Sequence, residues 1–288
     1  MSKLIGLIII FMSVFGGYVW AGGALASMWQ PAEILIIFGA GVGAIVIANP
    51  KPVLLEMLTQ VRELFSREQE DPELYPQLFA LMGVLMAKIQ VQGLKVLDEH
   101  IENPQDSSLF LMYPAVLKHS NVLLFLIDNL RIQSIGKISP HDLEHMLEEE
   151  IHRIEEDRLR PSEAFSKVGE AMPGFGILAA VLGIIITMSN IDGPITMIGV
   201  KVAAALVGTF VGIFACYCFF DPMSKALEHL VERKSAQLRC VAAMLTAFAK
   251  GKPPMMAIDA GRKQIQSENR PSFIELERWM EEQKADAP

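Results

Sequence analysis

The chain has 288 residues, 51% hydrophobic and 20% charged, with a formal net charge of −8. Nucleic acid binding needs a basic footprint, so this balance argues against a nucleic acid partner. Three cysteines fit neither a disulfide framework nor a zinc pattern.

Four apolar stretches organise the sequence: Leu4–Trp20, Glu33–Ala48, Met172–Met188 and Thr196–Phe220. Each approaches the roughly 20 residues a helix needs to cross about 30 Å of hydrocarbon. The expected fold class is an all-α integral membrane protein, with four transmembrane helices in two hairpins and a large cytoplasmic helical domain. The expected boundaries are 1–49 for the first hairpin, 50–168 for the cytoplasmic helical domain, 169–222 for the second hairpin and 223–288 for a cytoplasmic helix and tail. No acidic residue lies deep in any span, so an ion-carrying carboxylate is expected from a partner chain.

Basic residues set the orientation. The loop Ala21–Ala32 has no Lys or Arg, and Ser189–Ile195 carries only Asp192. Lys51, Arg62, Arg67, Lys88, Lys95, Lys225, Arg233, Lys234 and Arg239 all fall on the other side; Lys201, near the outer end of span four, can snorkel to the interface. By the positive-inside rule the large domain and both termini are cytoplasmic. Lys3, the first apolar run and Ala24-Leu25-Ala26 also resemble a secretory signal, but the run of about 17 residues exceeds the usual core of 7–15. Cleavage there would leave the remaining topology unchanged.

In chain order, Gly39 and Gly43 in span two form a small-xxx-small face, read either as packing within one subunit or as close packing between subunits. Gly208 and Gly212 repeat the spacing in span four. Val53–Glu68 is amphipathic, a second helix runs from about Leu74 to Val91, and Gly93 stops it. Leu94–Ile101 is a short helix. Val122–Ile127 is too short to span and is assigned to the core. Ser139-Pro140-His141-Asp142 has the residues of a helix start: a capping Ser, Pro in the first position and an acid in the third. Met223–Lys250 reads as one continuous helix, and Phe273–Glu282 as a short final one.

Chemistry has few carriers. His141, His145, Glu148, Glu149 and His152 share a helix, where a metal site competes with a solvated face. Cys216 and Cys218 lie inside span four as packing residues. No catalytic triad or phosphate loop is present, so the chain is not expected to be an enzyme or to need a cofactor. Pro173 and Pro222 stand at the cytoplasmic ends of spans three and four, marking helix ends or forming a hinge pair at one membrane depth. Thr209 near the middle of span four and Thr187 in span three either bond back to their own helices or line a pore. Glu33 and Glu170 are read as interfacial, at span ends.

The run Ala205-Leu206-Val207-Gly208-Thr209-Phe210-Val211-Gly212-Ile213-Phe214, with Pro222 beyond it, resembles the signature of the MotA family of flagellar motor stator subunits. So does the tail, with Arg262-Lys263 and then Arg270-Pro271-Ser272-Phe273-Ile274-Glu275-Leu276-Glu277. Phe15-Gly16-Gly17-Tyr18, Gln30-Pro31-Ala32-Glu33 and Ile101-Glu102-Asn103-Pro104 add to it, and the likeness covers essentially the whole chain.

The resemblance implies a ring of MotA subunits, five in this family, in the bacterial inner membrane around a peptidoglycan-anchored MotB dimer that supplies the ion-binding aspartate. The ring would turn as ions pass and push on the rotor protein FliG, driving flagellar rotation, motility and chemotaxis. Pro173 and Pro222 match the family's coupling prolines and Thr209 its pore-side threonine. Sodium-driven relatives carry a threonine seven residues after the span-three proline; here the residue is Ala180, which offers no oxygen to a hard cation, so the transported ion is expected to be the proton. Among the rotor-facing charges the family has an arginine where this chain has Gln90 and a glutamate where it has Asp98, so the contact is expected to use a shifted set with Lys95 and Glu150. The departure is compatible with a different motor, for example a lateral flagellar system. The alternatives are an ExbB/TolQ-like proton-driven ring energising outer-membrane processes, and a membrane scaffold without ion flow.

Overall fold

The structure is a computed structural model that describes residues 2–66, 71–136, 138–189, 192 and 194–285. Arg67 and Glu68, and Asn190, Ile191 and Gly193 of the second loop, lie outside the described residues. Every regular element among the described residues is helical. In chain order they are α1 (Ser2–Trp20), α2 (Pro31–Ala48), α3 (Lys51–Phe65), α4 (Leu74–Gln92), α5 (Asp98–Glu102), α6 (Ser108–Leu111), α7 (Pro114–Lys118), α8 (Ser120–Ile135), α9 (Pro140–Met188), α10 (Ile195–Ala215), α11 (Asp221–Ala249), α12 (Pro254–Arg262) and α13 (Phe273–Ala285). A π-helical turn, Cys216–Phe220, joins α10 to α11. The chain divides into two compact units, one of residues 1–64 and 158–229, the other of 65–157 and 230–288.

The chain is an all-α membrane protein. In the first unit α1 and α2 form one apolar hairpin, and the C-terminal part of α9 with α10 forms the other. Pro31 opens α2, where its missing N–H costs nothing, and the Asn49 side chain closes it by donating to Ile45 O at 2.9 Å. Trp20 and Trp29, 92% and 72% exposed, flank the loop between them, where amphipathic rings favour a membrane–water interface. Phe11 and Phe15 of α1 meet Phe214 of α10 with ring centroids 5.6 and 5.4 Å apart. Leu4, Ile8, Leu35, Val42, Ile47, Ile185 and Leu206 remain exposed, as a lipid-facing or partner-facing surface requires.

The helical domain has its own core. Leu78, Phe79, Leu81, Met82, Leu85 and Met86 of α4 are buried with Val122, Leu123, Phe125, Leu126 and Ile127 of α8, Leu143 and Leu147 of α9, and Val241 and Met244 of α11. By length and hydropathy α4 would also cross a membrane, but its mean hydropathy of 1.3 trails the 2.1–2.2 of α2, α9 and α10, and half its residues are buried. It is a core helix. Gly93, at φ +79°, ends α4 in a conformation that costs glycine least. At the start of α9, Asp142 N–H donates to Ser139 Oγ at 3.1 Å, an N-cap bond, and Ser139 Oγ donates to Asp142 Oδ2 at 2.6 Å.

Candidate functional site

Backbone contact between α9 and α10 fixes the level of every residue on the second hairpin. A Cβ placed on Gly176 would stand 2.8 Å from Gly208 O, and one on Gly212 would stand 2.6 Å from Met172 O. One on Gly183 would meet Ala205 Cβ at 3.2 Å. At Gly176 and Gly212 only glycine permits the approach, because the obstacle is backbone, and in lipid this packing is what drives helix association. Gly208 and Gly212 are thus spent within the subunit. Gly39 and Gly43 are not: a Cβ on either would meet nothing within 4 Å.

This register brings Ala180 and Thr209 to one level, since Ala179 Cβ lies 3.4 Å from a Cβ placed on Gly208. Both are half-buried. Thr187 is elsewhere: it lies two turns nearer the α9–α10 loop, is buried, and donates Oγ1–H to Gly183 O at 2.8 Å, a bond back to its own helix.

The prolines do not share a level, contrary to the expectation from antiparallel order. Gly169 meets Phe220, and Ser162 meets Ser224, so Pro222 stands opposite residues near Phe165 and Ser166. Pro173 stands opposite residues near Ala215, about seven residues or roughly 10 Å nearer the α9–α10 loop. The cause is that span four extends through the π turn, in which Asp221 N–H reaches Cys216 O, before its proline. Pro173, by contrast, sits inside the unbroken α9.

Just beyond, α9 and α11 are tied by a buried polar crossing. Ser162 Oγ donates to Ser224 O and Ser224 Oγ donates to Ser162 O, each at 3.0 Å, with both side chains buried. Pro161 leaves α9 one donor short, and Gln60 of α3 donates Nε2–H to the neighbouring Arg158 O at 3.0 Å. Sequence periodicity carried no signal for this crossing.

Of the residues expected at the rotor surface, Gln90, Lys95 and Asp98 are exposed. Glu150 is half-buried and accepts from the buried Asn129 Nδ2 at 3.0 Å. Lys88 Nζ lies 3.3 Å from His100 Nε2, so its charge is tied to α5 rather than free to replace the missing arginine. Among the described residues no group of three or more His, Cys, Asp or Glu is placed to hold a metal ion. His152 instead lies 3.4 Å from Glu156 on the solvent face.

Glu33 stands in the first turn of α2, at a span end as expected, but it also meets the second hairpin: its Cγ lies 3.5 Å from a Cβ placed on Gly208, near the middle of α10. Gly41, eight residues on, packs against Met172. The two hairpins are therefore staggered, and apolar run lengths give each helix its ends but not its height against a neighbour.

Comparison with known proteins agrees along the whole chain. Residues 4–93 match the family described as Motility protein A N-terminal, and residues 118–240 match the MotA/TolQ/ExbB proton channel family. The chain is 50% identical to chemotaxis protein LafT of Vibrio parahaemolyticus over 99% of its own length and 100% of that protein. It is 37% identical to Motility protein A of Salmonella typhimurium over 96% and 94% of the two chains. The fold matches the flagellar MotAB stator complex of Bacillus subtilis with TM-score 0.68 and 25% identity, over 96% of this chain and 98% of that one. It also matches C. jejuni MotAB with TM-score 0.75 and 18% identity, over 94% and 98%.

Proposed function

The chain belongs to the Motility protein A family, and from that premise we propose that it is the proton-conducting, torque-generating subunit of a flagellar motor stator. It works with a MotB-type, peptidoglycan-anchored partner and pushes on the rotor protein FliG. Residues 1–49 and 169–222 form its membrane part, in the bacterial inner membrane. Residues 50–168 and 223–288 form the cytoplasmic part, with both termini inside. Five copies make a ring around the partner's helices. The match of residues 4–93 to a family specific to motility proteins weighs against an ExbB/TolQ-like ring.

One observation carries this reading. The α9–α10 hairpin is closed backbone on backbone by glycine, which leaves Ala180 and Thr209 level with each other and only partly covered by their own subunit. A channel wall has that form when another chain completes it. The partner's aspartate takes the proton there; Ala180 supplies no oxygen for sodium, while the Thr209 hydroxyl offers one donor and acceptor to water. Each proton carries about 2.3 kcal/mol per 100 mV of membrane potential, plus the pH gradient. Pro173 within α9, and Pro222 after the π turn, are the points where the two helices yield as the charge on the acid changes. The protein performs ion transport and mechanical work, with no cofactor.

Deleting the gene gives flagellated but paralysed cells, and restoring it restores rotation at a speed unaltered when external sodium is exchanged for potassium at fixed pH. Normal motility of the deletion strain rejects the stator. A speed that collapses without sodium rejects the proton.

A further inference from the structure

We propose that Glu33 is a further ion-path residue, a proton-carrying carboxylate that α2 places against Gly208, one residue before Thr209; this rests on the function proposed above. The side chain is half-buried against Gly208, at the middle of the second hairpin. A larger residue at Gly208 would push it away. Among the described residues its carboxylate has no hydrogen-bond or ion-pair partner.

The surroundings supply no counter-charge. No ionisable residue other than cysteine lies between Glu170 and Met188 on α9, or between Lys3 and Trp20 on α1 except Tyr18, and on α2 Glu33 stands alone. On α10 Lys201 is the one charged residue, about two turns further out than Gly208. With no ion pair to hold its charge, the half-buried carboxylate is open to exchanging a proton with water. Its access is from outside: outward of Pro31 the first hairpin has no further helix, only the loop whose Leu25–Met28 turn packs on α10.

The step is a plain proton transfer. The Glu33 carboxylate takes a proton from outer water, and the acid returns to carboxylate as the proton passes, across the Thr209 level, to the partner's aspartate. No other bond changes.

The test co-expresses the chain with its MotB-type partner and measures proton flux of the purified complex in vesicles with a pH-sensitive dye. Glu33→Gln, equal in size but unable to carry a proton, lowers flux by at least about tenfold, while Glu33→Asp stays within about threefold of the parent. Both variants co-purify with the partner in normal yield. Parent flux from Glu33→Gln overturns the proposal, as does an equal loss in Glu33→Asp, which would mark a packing role. Failure of Glu33→Gln alone to co-purify assigns the residue to assembly and overturns it too. A parent complex that passes no protons defeats the function itself, a result separable from all of these.

Discussion

A lysine ammonium has only hydrogens to give, so the 3.3 Å approach of Lys88 Nζ to His100 Nε2 fixes the tautomer of the ring. Nε2 accepts, and Nδ1–H donates to Ser107 Oγ at 2.9 Å, which in turn caps α6 by accepting from Phe110 N–H. The chain of bonds requires neutral histidine. Burial, and secondly the Lys88 charge, hold the His100 pKa below its ordinary 6.5, with Glu99 opposing them. The unfolded chain then binds more protons than the folded one below that value. Stability from this residue is present above about pH 6.5 and is lost as pH falls through the folded pKa. Nuclear magnetic resonance titration of the His100 ring is expected to give a midpoint below 6.5, and Lys88→Met to raise it. A midpoint at or above 6.5 in the parent protein would remove the basis for this relay. Gln90, Lys95 and Asp98, which the family resemblance implied for the rotor contact, are exposed, but the tether on Lys88 was not legible in the sequence, since it joins residues twelve apart through a loop.

At the level of elements, α9 and α11 are held by Ser162 with Ser224 in one unit, and by Arg239 with Glu155 at 2.6 Å and Lys250 with Glu144 at 2.8 Å in the other. The two ion pairs are partly exposed and contribute little, on the order of 0–1 kcal/mol each. The serine crossing is buried on both sides, where a neutral hydrogen bond contributes about 1 kcal/mol. Because each hydroxyl bonds the other residue's carbonyl, their effects are coupled. In a double-mutant cycle Ser162→Ala and Ser224→Ala should each lower stability by about 1–2 kcal/mol, with a coupling of at least about 0.5 kcal/mol. Thermal unfolding of the detergent-solubilised protein measures it; strictly additive losses would mean the two serines act apart. The helices themselves were readable: apolar periodicity gave α3, α4 and α11, Ser139-Pro140 gave the start of α9, and Gly93 gave the end of α4. The π turn before Pro222 was not, because a single extra residue in a helix leaves no mark on an apolar run.

For the molecule as a whole, the membrane class and the division between apolar hairpins and a polar helical domain follow from charge and hydropathy alone. What hydropathy cannot give is which glycines are already used. Gly212 and Gly43 look alike in sequence, each four residues from another glycine in an apolar helix. They differ completely in the fold: a Cβ on Gly212 would overlap the Met172 carbonyl at 2.6 Å, whereas one on Gly43 has open space. Backbone cannot give way as a flexible side chain does, so Gly212→Ala should destabilise the hairpin and reduce the yield of inserted protein. Gly39→Leu and Gly43→Leu should insert and fold normally. If the proposed ring closes through the Gly39–Gly43 face of α2, their bulk forces neighbouring copies apart, and the purified complex shifts on size exclusion from a ring to smaller species. A ring of unchanged size from both leucine variants would place the contact between copies on another face. The same comparison keeps folding and assembly apart, because only Gly212→Ala is expected to lose protein before any ring can form.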